Sequence, residues 1–268
     1  MLEQILNPRW LDPSTLSNQY QSSHPFPHIV MNDFLDVDLL ERVESEFPDL
    51  TSLGDHKIEF SNSAETKYAS KGMYPLSPAA FELVSKLNSD VFLRYLQLIT
   101  GIEEILISDP YLAGGGYHEI KKGGFLKIHA DFNKHPEINL NRRLNLIIYL
   151  NKDWGNDWGG GLELFGRDMK SPIVTVVPKF NTAILFTTTS STFHGHPDPL
   201  ACPQERSRKS LALYYFSSAA EEESALQTHP TLFQERPGEK FAKSYKYRRL
   251  ISGLMPLGVK SLVKRLLK

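Results

Sequence analysis

The stretch Gly124-Phe125-Leu126-Lys127-Ile128-His129-Ala130-Asp131-Phe132 decides the architecture. Leu126, Ile128 and Ala130 alternate with Lys127, His129 and Asp131, which is the period of two of a half-buried strand and not the 3.6 of a helix. Similar short runs, separated by Gly, Pro and Asn, lie around it at Ile102–Ser108, Leu144–Leu150, Gly161–Phe165, Ile173–Val177, Thr182–Thr187 and Arg208–Phe216. So many short strands in about 115 residues predict a β-sandwich or barrel and argue against a βαβ fold.

Upstream the pattern is helical. An opening strand is expected within His24–Leu35, and Asp36 can cap a short helix running to Phe47, before Pro48. Ser77 is placed to cap a second helix, with Pro78 at its first position and Gly101 as its stop. Phe81, Val84, Leu87, Val91, Tyr95 and Ile99 give that helix one apolar stripe to lay on a sheet. The polar segment Thr51–Tyr74 reads as a surface connection, or else a loop near a substrate entrance. Helices first and strands second make an α+β chain, with the helices covering one sheet.

Composition narrows the class. The 268 residues are 41% hydrophobic and 23% charged, with no apolar run long enough to span a bilayer. The single cysteine, Cys202, cannot form an internal disulfide, and Met1–Leu6 lacks the features of a secretion signal, so a cytoplasmic setting is expected. The first 239 residues hold 31 acidic and 21 basic residues, a charge of −10, against +9 in the last 29. An acidic body is a poor partner for nucleic acid.

His129 and Asp131 share a strand face, so one imidazole and one carboxylate can occupy adjacent positions around a metal, with a distant histidine completing a facial triad. Alone, a His-x-Asp on a strand is more often a polar pair facing solvent. Further on, Phe193-His194-Gly195-His196-Pro197 offers a third ligand, and Arg206, Arg208 and Lys209 open the last strand. A cation entering an apolar strand needs an anionic partner, which a dicarboxylate cosubstrate would supply.

From Pro25 to Phe216 the chain resembles the iron(II)- and 2-oxoglutarate-dependent oxygenases of the prolyl hydroxylase type. Four segments carry the likeness: Gly124–Asn133, Arg142–Trp154, Gly159–Phe165, and Phe193-His194 together with Arg208–Phe216. The resemblance implies a double-stranded β-helix, a distorted jelly roll, whose metal ligands map onto His129, Asp131 and His194. His196 is the rival for the third place. His194 is preferred because it follows the apolar Phe193, as the family's third histidine follows an apolar residue. The family's cation for the distal carboxylate of 2-oxoglutarate maps onto Arg208, and strand parity turns Lys209 the other way. Tyr149 is expected at the same carboxylate, Asn145 near the cosubstrate, and Tyr117 either near the site or in the core. His118 and His135 read as surface groups, Trp154 and Trp158 as turn packing, and Cys202 as an idle thiol.

The likeness implies a dioxygenase that uses Fe(II), 2-oxoglutarate and O2, with ascorbate as a candidate reductant, and yields succinate and CO2. Halogenating relatives lack the ligand carboxylate, so Asp131 points to hydroxylation. A prolyl residue, an amino acid, a peptide or a sugar-containing metabolite are the expected substrate classes. The competing reading is a jelly-roll module that binds, for instance, glycans without catalysis. The expected organisation is an extension over 1–23, an oxygenase domain over 24–238 with its β-helix core at about 101–220, and a basic tail over 239–268. From Val259 onward that tail has the pattern of an amphipathic basic helix. Such a helix suits docking on the acidic body or peripheral contact with an anionic membrane through 240–268.

Overall fold

A computed structural model describes residues 2–218 and 228–241. Among the described residues, thirteen strands and four α-helices follow one another. Helix α1 (Pro13–Ser22), strand β1 (His28–Asn32) and helix α2 (Val37–Ser45) lead into strands β2 (Lys57–Ser61) and β3 (Glu65–Ser70). Helices α3 (Pro78–Leu87) and α4 (Asp90–Thr100) come next, then β4 (Ile107–Ser108), β5 (Gly116–Lys121), β6 (Phe125–Ala130) and β7 (Asn141–Tyr149). The remaining strands are β8 (Leu162–Phe165), β9 (Pro172–Val176), β10 (Thr182–Thr187), β11 (Phe193–His196), β12 (Ser207–Ser217) and β13 (Leu232–Phe233).

The strands run in the order β1-β10-β7-β12-β5-β3-β6-β11-β8-β9, with β13 added to β6, β2 to β3 and β4 to β12. The sheet folds over on itself into a nearly closed jelly roll, the double-stranded β-helix. Alternation along β7 shows how. Leu144, Leu146 and Ile148 join the helices in one core with Leu16, Tyr20, Leu83 and Leu96. Ile147 and Tyr149 instead pack inward with Leu162, Leu164, Ile184 and Phe186. Each β7 residue therefore serves one of two layers, as a period of two requires.

Local chemistry places the helices. Asp36 accepts from the Leu39 amide, Ser77 from that of Ala80 and Ser89 from that of Phe92. The Ser89 cap divides what the sequence reads as one helix into α3 and α4. Asn and Ser compete for backbone hydrogen bonds, and the break at Asn88-Ser89 resets the helical phase. Phe81 and Val91, expected on the buried stripe, are 53% and 38% exposed, whereas Leu83, Phe92 and Leu96 are buried in their place. Gly101 ends α4 at φ 73°, a left-handed cap.

The segment Thr51–Tyr74 is not merely a connection. Asn62 accepts from the amides of Ala64 and Glu65, which closes the turn of the β2–β3 hairpin. Strand β3 then bonds β5 through Tyr68 and Ala69 and β6 through Glu65 and Thr66, joining the two sheets along one side. Residues 2–22, read as an extension, contribute Ile5, Leu6, Leu16 and Tyr20 to the main core. Among the described residues no helix is long and apolar enough to cross a membrane. The basic helix expected from Val259 lies outside the described residues.

Candidate metal centre

Strands β6 and β11 pair with His129 opposite His194, and Asp131 follows directly on β6, so the three groups converge from two strands. One ligand atom from each lies within 4.8 Å of the others. His129 Nε2 stands 3.5 Å from Asp131 Oδ1, and His194 Nε2 stands 3.4 Å from Asp131 Oδ2. Both rings are anchored from behind. The Lys127 carbonyl lies 2.8 Å from His129 Nδ1, and the Thr192 carbonyl 3.0 Å from His194 Nδ1. A carbonyl only accepts, so each Nδ1 carries the proton and each Nε2 turns a lone pair to the shared space. Burial, and then the neighbouring His194, push the His129 pKa down, which favours the neutral ligand form.

Asp131 is held ionised. Burial alone would raise its pKa, but the Arg142 guanidinium beside it keeps it well below the usual carboxylate range. Arg142 Nη2 lies 3.1 Å from Asp131 Oδ2, and Asn145 Nδ2 donates to the same oxygen at 2.7 Å. Arg142 Nε and Nη2 donate to Asn145 Oδ1 at 2.9 and 2.6 Å, and Thr188 Oγ1 donates to it as well. The Arg142 guanidinium lies over the rings of Phe132 and Tyr214, its carbon 4.4 and 3.4 Å from their centroids. Asn145, expected near the cosubstrate, is thus committed to the Asp131 carboxylate.

At the other end of the interior stands Arg208, 5% exposed. Its Nε donates to the Gly160 carbonyl at 2.7 Å and its Nη2 to the Tyr149 hydroxyl at 3.2 Å. Among the described residues no carboxylate pairs with it, and burial lowers its pKa. Gly160 sits at φ 74°, and a Cβ there would meet Leu200 at 2.6 Å and Arg208 at 3.1 Å, so only glycine brings that carbonyl to the guanidinium. Lys209 lies on the opposite face with its ammonium over the Phe47 ring.

Three expectations change. Tyr117 pairs with Leu211 on the helix side of β5, its hydroxyl 3.0 Å from that of Ser77 and its ring against Phe47, so it does not reach the interior. His118, read as a surface group, lies on β5 opposite Ser210 and Ala69, on the inward face. Burial, then the charges of Lys67 and Arg208, push its pKa down to about 3. His135 is buried, its Nε2 facing Asp109 Oδ1 at 3.1 Å and its Nδ1 accepting from the amides of Glu137 and Ile138. That pair ties the loop after β6 to the loop before β5. His196 is buried on the same strand as His194 but stands outside the three-residue cluster.

The donor set fits its expected occupants. Two Nε2 lone pairs and one carboxylate make a facial N2O set with open positions, suited to Fe(II). A buried cation without an anion, across the interior, suits the far carboxylate of a dicarboxylic acid. A jelly roll carrying this pair of poles defines the class of iron(II)/2-oxoglutarate oxygenases.

Residues 115–216 match the model of the 2OG-Fe(II) oxygenase superfamily. No curated protein matches the sequence. Among solved structures, a prolyl-4-hydroxylase from Pseudomonas putida superposes with a TM-score of 0.53 at 15% identity, covering 77% of this chain and 99% of that one. A Trichoplax adhaerens prolyl hydroxylase, solved with a hypoxia-inducible-factor peptide fragment, superposes at 0.57 and 19% identity, covering 81% and 93%. A Burkholderia pseudomallei oxidoreductase of the 2OG-Fe(II) oxygenase family gives 0.54 at 14%, covering 78% and 94%. These likenesses establish the shared fold. Residues 115–216 thus form a 2OG-Fe(II) oxygenase domain, on a fold shared with prolyl hydroxylases, and give the protein the activity of a 2-oxoglutarate- and Fe(II)-dependent dioxygenase, with Fe(II), 2-oxoglutarate and O2 as its cofactor and cosubstrates.

Proposed function

We propose that the protein is a hydroxylase in which His129, Asp131 and His194 hold Fe(II) while Arg208 and Tyr149 take the distal carboxylate of 2-oxoglutarate. The observation that carries this reading is Arg208, a buried cation whose partners among the described residues are a carbonyl and a phenol and no acid. When bound, the iron and cosubstrate supply the oxidising power that replaces an unactivated C–H by C–OH, with release of succinate and CO2. The chain's own residues do the rest. The Lys127 and Thr192 carbonyls fix the two imidazoles, Arg142 and Asn145 aim the carboxylate, and Ile147, Leu164, Ile184 and Phe186 form an apolar cluster.

Asp131 in the ligand set favours hydroxylation over halogenation, because its oxygens fill the position a halide would need. A peptidyl proline is the first substrate to try, supported by the two prolyl hydroxylases of like fold. Free amino acids, other peptides and sugar-containing metabolites come after it. The test is turnover: the Fe(II)-loaded protein, given 2-oxoglutarate, O2 and proline-containing peptides or cell extract, should form succinate together with a product heavier by one oxygen atom. His194→Ala should lose Fe(II) binding and succinate formation together. Succinate formed without metal, or none under any condition, would sink the hydroxylase in favour of a binding module.

A further inference from the structure

The chemistry proposed for the hydroxylase leaves His196 idle. The residue is 2% exposed, and among the described residues neither ring nitrogen has a hydrogen-bond partner. Buried polar atoms are ordinarily satisfied, so a ring with two unpartnered nitrogens marks a place kept for something else.

Its position says where that place is. His194 and His196 are two residues apart on β11, so both rings leave the same face of the strand, towards the interior. The register carries them there together. His194 lies opposite His129 but His196 lies opposite Leu126, so three residues of β6 span two of β11. Gly195 lets the strands close over this bulge: a Cβ there would meet the Leu126 carbonyl at 2.7 Å and that of Lys127 at 2.9 Å. Two residues of strand advance the chain by about 6–7 Å. That step is comparable with the length of a five-carbon dicarboxylate reaching from the triad towards Arg208. The charges acting on His196 agree, since Arg208 is the first of them, ahead of Lys67 and His129. Tyr149 accepts from Arg208, which leaves its own O–H free to donate.

We propose that His196 donates a ring N–H to the distal carboxylate of bound 2-oxoglutarate, completing a three-donor cradle with Arg208 and Tyr149. This rests on the role given to Arg208. The pocket would then recognise the far end of the cosubstrate with a guanidinium, a phenol and an imidazole, and the imidazole would come from the strand that also carries the third metal ligand.

The full chain and its His196→Leu and His196→Gln variants are titrated anaerobically, first with Fe(II) and then, in the Fe(II) form, with 2-oxoglutarate or with 2-oxopentanoate, the same chain length without the distal carboxylate. The metal-to-ligand absorption of the chelated oxoacid is the readout. His196→Leu should bind Fe(II) like the wild type and 2-oxoglutarate at least about tenfold more weakly, as expected for a lost hydrogen bond to a charged group. His196→Gln should recover most of that loss, and 2-oxopentanoate should bind wild type and His196→Leu alike. Equal 2-oxoglutarate affinities, an equal loss for both oxoacids, or loss of Fe(II) affinity would each overturn the proposal. A wild type that bound both acids equally would sink the role of Arg208 itself, and this proposal with it.

Discussion

Nη2 of Arg142 lies 3.1 Å from Oδ2 of Asp131, the same oxygen that accepts from Asn145 and faces Nε2 of His194. One carboxylate oxygen is thus shared by a cation, an amide and the candidate metal position. Removing the cation leaves a buried anion uncompensated. In the metal-free protein Arg142→Ala should cost about 3–5 kcal/mol of stability, the range for breaking a buried pair from one side. Adding Asp131→Asn should return a good part of it. Chemical denaturation of the two single variants and the double variant measures this, and a double variant as unstable as Arg142→Ala would show that the charge is not the cause.

Arg208 and Lys209 are adjacent, yet one faces the interior and the other the Phe47 ring. Arg208→Ala should weaken 2-oxoglutarate binding by a factor of about 30 to 4000, matching the loss of about 2–5 kcal/mol when one member of a buried charge pair is truncated. Fe(II) affinity should stay near wild type. Lys209→Ala should change neither. Calorimetric titrations with metal alone and with metal plus cosubstrate separate the two effects, and equal losses in both variants would contradict the strand parity.

His118 gives a pH signature. Its folded pKa is lowered to about 3, chiefly by burial, so the unfolded chain takes up this proton first as pH falls below the ordinary histidine value of about 6.5. Stability is therefore full above that value and declines with acid down to about pH 3. Glutamine can still donate to the Gly114 carbonyl that His118 Nε2 contacts. His118→Gln should flatten the slope between pH 6.5 and 4, read from denaturant midpoints across that range. An unchanged slope would mean that another group carries it.

At Gly195 the backbone of β11 lies close against β6. A methyl group there must push against two carbonyls, so Gly195→Ala should destabilise the fold by about 1–3 kcal/mol, the usual cost of overpacking. It should also spread His194 from His129 and weaken Fe(II) binding, whereas Gly123→Ala, with open space around its Cβ position, should leave metal binding alone. Metal titration of the two variants tests the contrast.

Parts of this molecule are legible in the sequence because some features depend only on alternation. His129 with Asp131, and Arg208 turned away from Lys209, come from a period of two within a single strand. Arg142 does not. It is three residues from Asn145 and on the opposite parity, and the two meet only because β7 and β12 shift register between Tyr215 and Phe216. His118 escapes for want of β5: Tyr117 and His118 look alike as loop residues until the strand sends one into the helical core and the other inward. The β2–β3 hairpin is hidden for a different reason. Glu65-Thr66-Lys67-Tyr68 carries polar groups on both faces, so its place in the sheet comes from backbone pairing with β5 and β6 and leaves no hydrophobic period.

The two poles of the interior stand on different strand pairs of the folded sheet, the triad on β6 and β11, Arg208 and Tyr149 on β7 and β12. On the proposed assignments, a small acid gripped at both ends is a rivet between the two walls of the barrel. Its binding then acts on the architecture as well as on the reaction, and at a concentration one hundred times its dissociation constant it would add about 2.7 kcal/mol to the stability of the fold. The abundance of a common metabolite would thereby be written into how long each copy of this protein resists unfolding.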